Sequence, residues 1–229
     1  MLDQGQKSEA LQTFYRATEI DPKCVEAWVA LARAFHAINP EKYADQMLTC
    51  AENAFSADAT NSRARNIASV AHFAIGQTAF TAEDWDKGFQ HFRRSYEIDP
   101  GDGQTFSAMR HCAEEGKLLH HFSDVCEDRL KTHEDDLPVR YALGVSCTKL
   151  AIDAPTSPDK VWARTEFLRR AELHLSRYLS SDPLSAHANK FLGIVYIMTN
   201  RLSDAEHMLV KLSEIDSEQA AELDELLHD

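Results

Sequence analysis

Glycine and proline are scarce, at 8 and 7 among 229 residues. An all-β fold spends turn residues every 8–12 positions or so, so this shortage excludes one and asks for long helices. No apolar run approaches the roughly 18–20 residues that cross a bilayer. The longest, from Phe191 to Met198, stops far short, and no membrane insertion is expected. The first residues, Met1-Leu2-Asp3-Gln4, lack the basic and apolar regions of a secretory signal. No Asn-x-Ser/Thr glycosylation acceptor occurs either. Positive charge is also short: 24 Lys and Arg stand against 37 Asp and Glu, a formal net charge of −13. Phosphate recognition needs an excess of cations, so the expectation is no nucleic acid. By net charge, a basic or neutral protein segment is the more natural partner.

Paired cysteines are missing too. Cys24, Cys50, Cys112, Cys126 and Cys147 are odd in number, scattered, and form no C-x-x-C. Among apolar helix positions a cysteine behaves as a small hydrophobe, and the pattern suits a reducing, cytoplasmic setting. What remains is ordinary for a globular chain: 44% hydrophobic and 27% charged residues, too apolar for disorder.

Catalytic signatures are absent as well. There is no phosphate-binding G-x-x-x-x-G-K-S/T and no G-x-G-x-x-G. Gly144-Val145-Ser146 begins a nucleophile elbow, but Thr148 replaces the second glycine, and Ser146 reads as a helix residue. His111, Cys112, His120, His121, Cys126 and His133 are metal-ligand types without ligand spacing. They read as surface histidines and core cysteines. The acid pairs Glu114-Glu115 and Asp135-Asp136 sit at turns beside Gly116 and Pro138, where solvated carboxylates are common. The expectation is no enzyme, no metal and no cofactor.

The chain does repeat itself. Glu19-Ile20-Asp21-Pro22 returns as Glu97-Ile98-Asp99-Pro100, and related endings occur at Ser181-Asp182-Pro183 and Glu214-Ile215-Asp216-Ser217. Pro183 to Ser217 is 34 residues, and so is Pro22 to Ser56. Pro22 to Pro100 is two such periods plus 10, and Pro100 to Pro183 two plus 15. Within the period, Trp28-x₂-Leu31-Ala32-x₂-Phe35 and Asn189-x₂-Leu192-Gly193-x₂-Tyr196 open the units. Arg140-x₂-Leu143-Gly144 and His72-x₂-Ile75-Gly76 keep only part of that pattern. A second half recurs as Ala10-x₃-Phe14, Ala44-x₃-Leu48, Gly88-x₃-Phe92, Ala171-x₃-Leu175 and Ala205-x₃-Leu209. Small residues suit a close helix crossing, and large ones three or four positions away fill the gap beside it.

These residues resemble the tetratricopeptide repeat (TPR) pattern, a 34-residue helix–turn–helix unit. The resemblance implies an all-α solenoid over residues 1–229, with five to six units and a capping helix over 217–228. Twelve helices are expected. The weakest unit spans 103–136, and insertions are expected near 59–68 and 153–160. Only three residues precede Gly5, so the first unit has its second helix alone. The chain is therefore expected to begin inside a longer array.

In this family the first helices of successive units line a concave groove. The stripe beside the packing face then offers Val29, Arg33 and His36 in one unit, Phe73, Gln77 and Phe80 in the next, and Ser107 with His111 after that. Tyr141 and Val145 follow, and the last unit gives Lys190, Ile194 and Ile197. Either lengthened helices cover these residues as core, or they form an apolar groove for a peptide or helix. The Lys/Asn/Arg clamp by which some TPR proteins hold a carboxyl terminus is not matched by Val29, Arg33, Phe73 and Gln77. The implied function is a cytoplasmic protein-interaction module, part of a larger scaffold or signalling protein. The alternatives are a dedicated chaperone for a secreted substrate, or the regulatory TPR region of an enzyme whose catalytic domain lies outside this chain.

Overall fold

The computed structural model describes residues 4–39, 42–155 and 161–228, and these hold twelve α-helices and no strand. None of the described helices is long and apolar enough to cross a membrane. The helices fall into two compact units, residues 1–118 and 119–229. The division at Leu118 and Leu119 lies inside the stretch 103–136, where the repeat signature is weakest.

The first unit holds α1 (Gln4–Ile20), α2 (Val25–Ile38), α3 (Ala44–Ala57), α4 (Ser62–Thr81), α5 (Trp85–Ile98) and α6 (Gly103–Glu115). Each helix packs on the next, and α2 also touches α4. The second unit holds α7 (Leu119–Thr132), α8 (Leu137–Asp153), α9 (Val161–Leu179), α10 (Ala186–Met198), α11 (Leu202–Ile215) and α12 (Ser217–His228). Neighbours pack in order there too, with α8 on α10 and α10 on α12. Contact between every second helix is how stacked hairpins bury the face that a single hairpin leaves open.

One turn recurs before α2, α4, α6, α8 and α10. The amides of Cys24, Asn61, Asp102, Asp136 and Ser185 each donate to a carbonyl three residues upstream, and the same residues accept the first helical bond. Four of them also cap with a side chain: Asn61, Asp102, Asp136 and Ser185 accept from amides two or three residues on. Such caps satisfy donors that a helix start leaves free.

The caps give the true spacing. They stand 37, 41, 34 and 49 residues apart along Cys24, Asn61, Asp102, Asp136 and Ser185. The ten extra residues between Pro22 and Pro100 are thus divided, three before Asn61 and seven after it. The seven lengthen α4 to 20 residues, against 14 in α2. The three shift α3, so the expected pair Ala44 and Leu48 is displaced. Ala44 opens the helix half-buried, while Met47 and Ala51 fill the buried positions. Strict periodicity survives in the weakest unit, from Asp102 to Asp136. The second insertion falls partly on 156–160, outside the described residues.

The glycines sit at close approaches. A Cβ on Gly76 would meet the Phe92 ring at 2.8 Å, and one on Gly144 the Leu175 side chain at 2.7 Å. Both partners lie on the second helix of the same hairpin, as the signature implies. Gly193 differs: its space is filled by Leu223 of α12, at 2.6 Å. The terminal helix is therefore keyed into α10, with Leu223 fully buried. Phe89, Phe92 and Met109 in the first unit, and Phe122, Leu143 and Leu212 in the second, are buried completely. Each such side chain contributes about 1.5–3 kcal/mol.

Candidate functional site

The expected groove stripe divides into core and surface. Val29 and Val145 are core, only 5% and 4% exposed, and the exposure expected for them is corrected. Helix α2 carries Val29 on the seam where it meets α4, among Val25, Leu31 and Phe35. Helix α8 is covered on both sides, by α7 and α9 and by α10. Phe73 is half-buried and stacks on Phe92 at 5.5 Å, so it belongs with the packing face. Tyr141 is half-buried against Tyr178, at 5.1 Å. Lys190 is held by Glu222 of α12, Nζ to Oε2 2.5 Å.

Arg33, His36, Gln77 and His111 are exposed, and Phe80 is half-exposed. His36 lines none of the three depressions that collect the other available stripe residues. In the first unit one of about 180 Å³ is lined by Val25, Val29 and Ala30, with Glu26, Arg33 and Arg63 beside them. A second, of about 220 Å³, joins Gln77, Phe80 and Thr81 of α4 to Ala108 and His111 of α6, over Phe92. Here the Phe80 ring lies 5.3 Å from the His111 imidazole and edge-on to Trp85 at 5.1 Å. In the second unit, a depression of about 280 Å³ joins Ile194, Ile197 and Met198 of α10 to Ile152, Arg164 and Leu226.

Four of these lining residues were legible but unread. Ile152 lies seven positions after Val145 on the same helical face, and Met198 four after Ile194. Thr81 follows Gln77 and Ala108 precedes His111 by one turn. Arg164 and Leu226 had no such signal, since they come from a second helix and from the terminal helix.

Burial pushes the Cys50, Cys112 and Cys147 thiols up to about 11, and Cys126 well above its ordinary value. A thiol that stays protonated is a poor nucleophile. Ser146 is buried within α8. His72 is lowered to about 4, first by burial and then by His91, whose Nδ1 lies 3.1 Å from its own. His174 is likewise lowered to about 4, by burial and then by Arg140. Among the described residues, no three His, Cys, Asp or Glu side chains are placed to hold a metal. The acid pairs have structural partners: Asp136 caps α8 and bridges Arg129 at 3.0 Å, and Glu114 bridges Arg110 at 3.3 Å.

No model of a known protein family matches the chain, and no curated protein matches it by sequence. Solved structures do. YrrB, described as a TPR protein with an unusual peptide-binding site, superposes with a TM-score of 0.55 at 16% identity, over 94% of this chain and all of that one. One chain of Naa15/Naa10 bound to HypK-THB gives 0.54 at 14% identity, over 95% of this chain and 31% of that one. A MamA double mutant gives 0.50 at 14% identity, over 82% and 96%. The fold is the TPR fold. Within it, α2 with α3, α4 with α5, α8 with α9 and α10 with α11 are the helix pairs of TPR units. The depressions described above are lined chiefly by first helices of those pairs.

Proposed function

We propose that this TPR-fold chain is a non-enzymatic module that holds a segment of a partner protein against the first-helix faces of its repeats. One observation carries the reading: Gln77 and Phe80 of the first helix α4 and His111 of α6 meet at one open depression. Aromatic and amide side chains on a rigid helical scaffold bind by area and a few directed hydrogen bonds, with little ordering cost. YrrB, of similar fold, has a peptide-binding site by its own description, which supports the same use here. The five cysteines, all free, support a reducing compartment, and we place the protein in the cytoplasm.

The test is a photo-crosslinking amino acid at position 77, with crosslinked peptides identified by mass spectrometry. Capture of one defined partner segment is expected, and it should fall at least tenfold with His111→Ala. Crosslinks that form only from outward positions such as Arg93 or Lys131 would move the binding surface elsewhere.

A further inference from the structure

The depression of the second unit is built by features that a regular TPR hairpin lacks. Arg164 stands on the first turn of α9, next to the segment that carries the extra 15 residues. Leu226 stands on α12, which is keyed to α10 through Gly193 and Leu223. The remaining lining, Ile152, Ile194, Ile197 and Met198, is aliphatic or thioether. Ile152 and Leu226 are about half exposed, at 53% and 49%, which is costly apolar surface to leave in water.

Arg164 differs from most arginines of this unit. Arg129, Arg169, Arg170, Arg177 and Arg201 each hold a carboxylate of the chain. Arg164 makes no ion pair or hydrogen bond with any described residue. Two acids of α12 are held by other cations, Glu222 by Lys190 and Asp224 by His228. Among the described residues, Arg164 is thus half-buried beside an apolar floor with its fork of donors unpaired, in a chain whose net charge is −13. A carboxylate meets that fork with two parallel hydrogen bonds, and the weak hydration of guanidinium makes the pairing favourable next to apolar surface.

We propose that this depression is a socket for a partner segment carrying an aliphatic side chain beside a carboxylate. The inference rests on the reading of the first-helix faces as a protein-binding surface, and it reverses the charge preference that net charge alone would give the partner. The aliphatic group fills the space between Ile194, Ile197 and Leu226. The carboxylate pairs with Arg164.

Methyl NMR titrations of the full chain test it with two short probes, acetyl-Asp-Leu-Asp-amide and acetyl-Lys-Leu-Lys-amide. The acidic probe should give saturable shifts at Ile152, Ile194, Ile197, Met198 and Leu226, with an affinity at least tenfold above the basic one. Arg164→Glu should invert that order, and Leu226→Ser should weaken both probes without altering the unfolding midpoint. Equal affinity of the two probes, or an order unchanged by Arg164→Glu, overturns the socket. So does the absence of saturable shifts at these methyls. Partner crosslinks at position 77 that persist in Arg164→Glu would keep the binding-module reading while the socket falls.

Discussion

Asn189 does in the second unit what Trp28 does in the first. Each side-chain N–H donates to the carbonyl of the proline six residues upstream, Asn189 Nδ2 to Pro183 O at 3.0 Å and Trp28 Nε1 to Pro22 O at 2.8 Å. Arg140 holds the carbonyl of Glu134 in the same way. Three unlike residues therefore fasten the same turn to the helix that follows it. Asn189 is fully buried, and replacing it by Ala leaves both a void and an unpaired carbonyl. The expected loss is about 1–3 kcal/mol, read from urea unfolding. Trp28→Phe keeps most of the packing and removes only the donor, so about 0.5–1.5 kcal/mol is expected. If Asn189→Ala unfolds at the parent's midpoint, the bond has no role in stability.

The glycines at the two ends of α6, Gly103 that opens it and Gly116 that caps it, should respond oppositely to alanine. A Cβ on Gly116 would stand 2.4 Å from the Trp85 Cβ, an atom fixed to the backbone. Gly116→Ala should cost about 1–3 kcal/mol through overpacking. At Gly103 a Cβ meets nothing within 4 Å, and Gly103→Ala should gain about 0.4–1 kcal/mol by restricting the unfolded chain. Thermal melts of the two variants should move in opposite directions. The same sign for both would refute the assigned packing of Trp85.

Glu83 and Lys117 carry left-handed backbones, φ 59° and 57°, just after α4 and α6. The amides that follow them, of Asp84 and Leu118, reach back to the carbonyls of Ala79 and Ala113. That is the helix ending that glycine favours. Glu83→Gly and Lys117→Gly should each stabilise by about 0.5–1 kcal/mol, since a side chain at this φ costs roughly 1–2 kcal/mol. A lower melting temperature in both would contradict the left-handed turns.

Stability should fall as the solution is acidified. His72 and His174 are lowered from 6.5 to about 4, so the folded state resists a proton that the unfolded chain accepts. Between pH 6.5 and about pH 4 the unfolded state binds more protons, and stability rises with pH. At pH 5 each ring should cost on the order of 1–2 kcal/mol relative to pH 7.5. His72→Phe should flatten the dependence in this window. Equal unfolding midpoints of the parent at pH 7.5 and pH 5 would show that neither ring is held neutral.

Helical period and turn chemistry act within a few residues, which is why the sequence alone determined the twelve helices and their order. The glycines at 76 and 144 and the Asp-Pro turns are local demands of a close crossing and a helix stop, and they were readable for the same reason. The tertiary structure decided what lies between elements. Whether Val29 and Val145 face water depends on a neighbouring helix covering them, and no local pattern encodes that. The three residues gained before Asn61 moved the buried face of α3 from Ala44 to Met47, a shift that composition hides because both are apolar. Arg164 and Leu226 meet Ile194 and Ile197 only because α9 and the terminal helix reach the same depression. Surfaces assembled from residues distant in the chain are set by packing, so the candidate sites became visible only with the fold.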